Sequence, residues 1–305
     1  MADTPPPLVF DTRFDARTGH PVAVLPKVVR LTAPNPSPYT FTGTNSFILG
    51  DRRVAVLDPG PDDAGHRAAL LAAIGGRPVD AIVLTHTHRD HSAGAAALQA
   101  ATGAPLWFGG RHRLSRPLQP GESNPLAADC DWELVPDRVL ADGEAFPAGD
   151  LELVAVATPG HCANHMCYGL AGTDWLLSGD HVMGWNSTLV AVPDGSMADY
   201  LGSLRKLLAL PFLHYLPAHG GPIDNGPAYA RALLAHRELR NRQVVEAVRR
   251  GATTIDALLQ AIYPMLSPKL RLAAALTLRA HIEYLADRGE VRLTATQPEM
   301  RLAPG

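Results

Sequence analysis

The chain has 305 residues, 46 % of them hydrophobic, enough for one large domain or a domain with a small companion. It contains no apolar run of the about 18 residues that a membrane span needs, and residues 1–7 are polar and proline-rich, without the basic-then-apolar order of a secretory signal. Three cysteines, Cys130, Cys162 and Cys167, cannot form a disulfide framework, so a reduced, cytoplasmic setting without a membrane partner is expected.

Residues 8–32 read as the first strands or an edge hairpin. The run Pro34-Asn35-Pro36-Ser37-Pro38 is a loop, because proline fixes φ and lacks the amide hydrogen. Two strands follow, over 39–49 and 53–57, joined at Gly50-Asp51. Residues 66–74 are helical and stop at Gly75-Gly76. The stretch 79–84 is apolar, β-branched and short, which reads as a buried strand. It delivers Thr85-His86-Thr87-His88-Arg89-Asp90-His91, an H-x-H-x-D-H pattern. Three imidazoles and a carboxylate in six positions are a dense ligand set for a transition metal, above all zinc. His86 and His88 alternate on an extended segment and can grip one ion. Asp90 and His91 come a turn later and can face a second. A surface cluster of hydrogen-bonding histidines is the alternative, but core packing has no use for so many ligand types together. Residues 92–100 then read as a helix capped by Ser92, so the ligands lie at the carboxyl end of a strand, where layered α/β folds place their sites.

Residues 105–108 form a short strand. Residues 109–131 lack periodicity and carry Arg111, His112, Arg113 and Arg116, and a loop of this length is a candidate lid. Strands follow at 138–140, 151–157, 166–170 and 175–178. Residues 183–198, with Trp185, Asn186, Ser187 and Thr188, follow Asp180 closely enough to line a pocket. A helix over 197–210 and a strand over 212–217 come next. From Gly226 onward twelve Lys/Arg stand against seven Asp/Glu, although the whole chain has a net charge of −3. Such a basic module suggests either a polyanionic partner or a solvated helical face. It opens with a helix over 228–250 ended by Gly251. Thr253-x-x-Asp256 resembles a capping box for a helix over 255–263. Ser267-Pro268 starts a further helix to 288, and 290–294 is a short strand.

The H-x-H-x-D-H motif resembles the metallo-β-lactamase fold superfamily. That resemblance implies three more ligands in order, and the chain supplies His161 in Thr158-Pro159-Gly160-His161, Asp180 in Ser178-Gly179-Asp180 and His219 in Pro217-Ala218-His219-Gly220. By resemblance, His86, His88 and His161 hold a first zinc ion, Asp90, His91 and His219 a second, and Asp180 bridges the two. Asp58, in Leu57-Asp58-Pro59-Gly60, is similar to the family residue that orients a ligand. His165 and His181 lie near His161 and Asp180 and are candidates for the same duty, although a structural histidine is the plainer reading of each. The resemblance implies an α+β fold, an αββα four-layer sandwich over residues 1–225, with the metals at one edge. Residues 226–305, a helix followed by a winged-helix-like module, resemble the β-lactamase-like protein 2 group.

The chemistry implied is metal-assisted hydrolysis. Two zinc ions share a water, lower its pKa to about 7 and polarise the electrophile, while Asp90 orients the nucleophile. The group resemblance implies cleavage of single-stranded RNA, although no aromatic-rich basic groove is evident. Hydrolysis of a small ester (a thioester, lactone or β-lactam) is the alternative. A third reading is a non-catalytic winged-helix nucleic-acid or protein binder. A homodimer is compatible with each.

Overall fold

The computed structural model describes residues 8–295 and 301–305. Residues 1–7, on which the absence of a secretory signal was argued, lie outside that range.

The first half of the chain runs β1 (Val22–Leu25), β2 (Val28–Thr32), β3 (Asn45–Leu49), β4 (Val54–Leu57), α1 (Ala64–Ile74), β5 (Val79–Val83), α2 (Arg89–Ser92), α3 (Ala95–Thr102), β6 (Leu106–Phe108) and β7 (Arg138–Val139). Its strands pair in chain order as one seven-stranded sheet. Pairing is antiparallel from β1 to β4 and parallel from β4 to β7. The second half supplies β8 (Ala145–Ala148), β9 (Leu151–Ala157), β10 (Met166–Leu170), β11 (Trp175–Gly179), α4 (Met197–Leu208) and β12 (His214–Pro217). These strands form a five-stranded sheet in the order β12-β11-β10-β9-β8, with β11 and β12 parallel. The chain closes with α5 (Gly226–Arg249), α6 (Ile255–Ile262), α7 (Arg271–Asp287), β13 (Val291–Ala295) and β14 (Arg301–Pro304), the last two paired as a wing.

Strand alternation turns this order into layers. Phe47, Leu49, Ala55, Leu57, Ala81 and Val83 point to the second sheet, where they meet Leu153, Ala155, Tyr168 and Leu177. The intervening Ile48, Val54, Val56 and Ile82 point the other way, onto Leu70, Ile74 and Leu98 of α1 and α3. The outer face of the second sheet packs Cys167, Leu176 and Tyr215 against Tyr200, Leu204 and Leu233 of α4 and α5. Helix, sheet, sheet and helix therefore stack as an αββα sandwich of the metallo-β-lactamase type. Each buried Leu, Ile, Val or Phe in it contributes roughly 1.5–3 kcal/mol.

Helix α5 serves two cores. Ala230 and Leu233 in its first half belong to the sandwich, whereas Val244, Val245 and Val248 pack on Leu258, Leu278 and Ile282 of α6 and α7. Asn225 caps its start by accepting from the Ala228 amide, so the helix begins two residues before the expected Ala228. Gly226 is required there, since a Cβ would lie 2.4 Å from the Tyr215 ring.

Several sequence expectations need correction. Residues 39–44 form a turn, closed by the Gly43 amide on the Thr40 carbonyl, and the strand starts at Asn45. Ser92 does not cap the long helix. Its hydroxyl donates to the His88 carbonyl, and α3 starts only after Gly94, where a Cβ would lie 3.0–3.1 Å from the carbonyl oxygens of Pro59, Gly60 and Pro61. The cap of α6 is Thr254 rather than Thr253, its side chain accepting from the Ala257 amide. Strand β8 was not foreseen, because Ala145-Phe146-Pro147-Ala148 has little strand propensity. It survives at a sheet edge, where proline is tolerated.

Candidate metal centre

Strand β5 ends at Val83, and residues 84–88 run extended from it into the short helix α2. This places His86 and His88 on the extended run and Asp90 and His91 on the helical turn. His161 comes from the loop after β9, Asp180 directly follows β11, and His219 follows β12. Six of the seven side chains are buried, and Asp90 is the most open at 27 %.

The donor atoms converge in two groups. His86 Nε2 and His161 Nε2 lie 3.1 and 2.9 Å from His88 Nδ1. Asp90 Oδ2 lies 3.3 Å from both His91 Nε2 and His219 Nε2. Asp180 stands between the groups. Its Oδ1 is 3.3 Å from His219 Nε2, and its Oδ2 is 3.5 Å from His91 Nε2 and 3.6 Å from His161 Nε2.

His91 Nε2, His219 Nε2 and Asp180 Oδ1 are buried and have no hydrogen-bond partner. A buried polar atom left alone costs about 1–3 kcal/mol, so three aimed at one point call for a common partner. A cation fits. Burial alone would raise Asp180, but the His219 and His91 imidazoles hold its carboxyl well below the ordinary value. Burial likewise opposes ionisation of Asp90, and His91 overcomes it. The same contacts raise His91 well above its ordinary value, and His219 to about 9, against the downward pull of burial. The two carboxylates thus demand positive charge at this point, and a divalent ion would supply it in place of protons. His86 and His161 are held neutral by burial, His161 at about 4, and neutral imidazole is the ligand form.

The other ring nitrogens are held from behind. His91 Nδ1 meets Asp58 Oδ2 at 3.0 Å, while Asp58 also accepts from the amide and hydroxyl of Thr85. His86 Nδ1 meets the Thr85 hydroxyl at 2.9 Å. His161 Nδ1 donates to the Leu189 carbonyl and His219 Nδ1 to that of Gly43. His165 takes the Asp180 amide on Nε2 at 3.1 Å, which orients Asp180 through its backbone. His181 does none of this. Its ring nitrogens are buried without partners, and the ring lies against Tyr200. Cys162 is fully buried and its thiol is raised well above the ordinary value by burial, so it is inert.

Two residues that sequence reasoning missed complete this shell. Asp194 is fully buried, with Oδ2 2.8 Å from His88 Nε2 and Oδ1 2.8 Å from His112 Nε2. His112 in turn meets the Thr87 hydroxyl at 2.9 Å. In the sequence, Pro193-Asp194-Gly195 is an ordinary turn and His112 one polar residue in a long loop, so neither carried a signal.

The centre opens into a cavity of about 670 Å³. The polar groups of His88, Asp90, His161 and Asp180 form its floor, and Trp185 and Leu189 stand beside them. Its roof comes from the winged helix, with Tyr263, Leu266, Leu270, Leu272 and Leu276. The 109–131 loop contributes Pro125 and Leu126 and is fastened to α7. Arg116 donates to Glu122 and Glu283, and Arg279 to Glu122, whose carboxylate is fully buried.

The model of the metallo-beta-lactamase superfamily matches residues 39–219, and that of the beta-lactamase associated winged helix domain matches residues 254–297. The chain is 27 % identical over 297 residues to the beta-lactamase-like protein 2 homolog of Drosophila melanogaster, covering 91 % of this chain and 96 % of that one. It is 27 % identical over 280 residues to the atrochrysone carboxyl ACP thioesterase of Aspergillus fumigatus, covering 86 % and 79 %. A crystal structure of a metallo-beta-lactamase family protein from Thermus thermophilus superposes with a TM-score of 0.75 at 26 % identity, over 93 % of this chain and all of that one. Among the described residues no helix is long and apolar enough to cross a membrane.

Proposed function

The chain belongs to the metallo-beta-lactamase superfamily, whose members are generally hydrolases, and we propose that it is a dinuclear zinc-dependent thioesterase or esterase acting on a small apolar acyl substrate. One observation carries this reading: the seven candidate ligand residues lie at a cavity of about 670 Å³ with a largely apolar roof. A volume of that size suits a small molecule. The fungal thioesterase among the relatives supports the same class.

On this reading residues 1–225 form the catalytic unit and residues 226–305 the roof. His86, His88 and His161 would hold one ion, Asp90, His91 and His219 the other, and Asp180 both. When bound, the ions would supply Lewis-acid polarisation of the acyl carbonyl and acidify water. Asp90, the most exposed of the seven, orients the attacking water at Oδ1, the oxygen not turned to His91 and His219, and takes its proton. Water adds to the carbonyl carbon, the bond to the leaving thiol or alcohol breaks, and the proton ends on the leaving group. The apolar roof excludes other water and holds the acyl group over the floor. Asp58, Asp194 and His165 position His91, His88 and Asp180.

Cleavage of single-stranded RNA, suggested by the likeness to the beta-lactamase-like protein 2 homolog, is the second reading. The basic excess of the carboxyl module gives it little support. Arg250, Arg271 and Arg288 pair with neighbouring acids, Arg279 lies in the buried ion cluster, and Arg237 and Arg240 face the cavity. The test is hydrolysis of hexanoyl-N-acetylcysteamine and of a labelled single-stranded RNA by zinc-loaded protein, chelated protein and Asp90→Ala. Thioester cleavage lost on chelation and in the variant is expected. Intact thioester beside chelator-sensitive RNA cleavage would replace this proposal with the second reading.

A further inference from the structure

Where helix α5 passes the cavity, it presents His236, Arg237 and Arg240 to it. Arg237 is only 3 % exposed. Its Nη2 donates to the Thr188 carbonyl, its guanidinium lies over the Tyr200 ring at 5.3 Å, and its Nε is buried with no partner. Arg240, three residues on and so on the same helix face, is half-buried over the Tyr263 ring at 4.2 Å. It donates to Gln243 Oε1 at 2.6 Å, and its Nε too is buried and unpartnered. Among the described residues neither guanidinium has a carboxylate within ion-pair reach. The contrast with Arg279 is direct, since that arginine, equally buried, meets Glu122 and Glu283.

The neighbours do not balance the charge. His236, on the same turn, is held at about 4 by burial and by Arg237 and Arg240. His281 of α7 is fully buried, bonds Asn241 through Nδ1 and leaves Nε2 unpartnered. Both imidazoles are therefore neutral near pH 7. Two permanent cations one turn apart, with no acid beside them, repel one another in a poorly solvated place. Burying a charge costs several kcal/mol, roughly, unless it is paired, and arginine's fixed fork of donors suits a planar or tetrahedral oxyanion. Arg237 also has a structural duty, as it braces Thr188, whose hydroxyl donates to the Asp180 carbonyl. Arg240 has no comparable duty.

We propose that Arg237 and Arg240 form an anion-recognition subsite within the substrate cavity, so that the preferred substrate is an apolar acyl thioester bearing one oxyanion, a carboxylate or a phosphate, in addition to the scissile carbonyl. This deepens the hydrolase reading and rests on it for the reaction, though not for binding. The anion has two possible sources: a carboxylate at the far end of the acyl group, or a phosphate on the thiol side. Both place negative charge at the guanidinium pair while the carbonyl lies at the polar floor.

The experiment compares three thioesters: hexanoyl-N-acetylcysteamine, which is neutral, adipoyl-N-acetylcysteamine, with a terminal carboxylate, and hexanoyl-phosphopantetheine, with a phosphate at the far end of the thiol component. Binding of the matching thioethers, which lack the carbonyl and cannot be cleaved, is measured beside turnover by calorimetry. The subsite requires one anionic compound to bind about tenfold more tightly than the neutral one, a preference that Arg240→Gln removes and Arg240→Lys partly restores. Arg249→Gln, an exposed charge elsewhere on the same helix, leaves that preference as it was. Preference for the adipoyl compound assigns the carboxylate, and preference for the phosphopantetheine compound assigns the phosphate. Equal binding of all three, or a preference untouched in Arg240→Gln, overturns the subsite. Anion-dependent binding without hydrolysis of any thioester would sink the hydrolase reading and leave the subsite standing.

Discussion

The floor and the roof of the cavity are built on opposite plans. On the floor, seven candidate ligand side chains leave strand ends and adjoining loops of both sheets. The rear nitrogen of every histidine among them is fixed by a second group, such as Asp58 behind His91 or Asp194 behind His88. The roof consists of ordinary apolar residues on α7 and on the connection from α6 to it, attached through the shared helix α5 and the Glu122 ion cluster. Reaction chemistry demands placement to a few tenths of an ångström and several fixed contacts per group. Enclosure demands volume and apolarity, which many sequences satisfy. The floor is therefore expected to tolerate almost no change, and the roof to trade one selectivity for another.

The largest effect should come from Asp180→Ala. Removing the residue between the two ligand groups should lower hydrolysis by about three orders of magnitude. Bound zinc, counted by elemental analysis, should fall below that of the unsubstituted protein. Retention of both would place the bridge elsewhere. Asp194→Asn comes next. It keeps the shape but weakens the acceptor behind His88, and zinc affinity should drop by about 10–100-fold in a chelator competition. If affinity held, the carboxylate would have only a packing role and the floor would be less strictly fixed than its contacts suggest.

Glu122→Gln tests the attachment of the roof. It leaves Arg116 and Arg279 short of an anion and should cost about 2–4 kcal/mol, read as a lower Tm with zinc content unchanged. The same contact sets a pH dependence. Bonds from Arg116 hold the Glu122 carboxyl at about 2, below its ordinary 4.5. A depressed carboxyl stabilises the fold above its unfolded pKa and loses that contribution as pH falls through the folded value. Tm should therefore fall between pH about 4.5 and about 2, and less steeply in Glu122→Gln. The smallest effect is expected from Ala274→Trp, which narrows the roof. Turnover of hexanoyl thioesters should fall a few-fold relative to acetyl thioesters, with zinc binding unaltered. An equal loss on both would show that the roof shapes the floor after all.

The H-x-H-x-D-H run, the later Gly-His, Gly-Asp and Ala-His positions and the apolar strands before them mark the sandwich and its seven candidate ligands in the sequence. Metal-binding side chains must be particular residue types, and a strand end brings four of them together locally, so the pattern survives in one dimension. The strand 151–157 was equally legible, because alternation and β-branching are local properties. Tertiary structure alone decided the rest. Asp194 and His112 lie 106 and 24 residues from His88; Asp194 reaches His88 from the segment between β11 and α4, and the 109–131 loop folds inward to set His112 on Asp194. Arg237 and Arg240 read as two charges on a long helix, and only the packing of that helix against Thr188, Tyr200 and Tyr263 buries the first and half-buries the second without giving them an acid. Their burial is a property of distant surfaces brought into contact, which no local pattern of residues encodes.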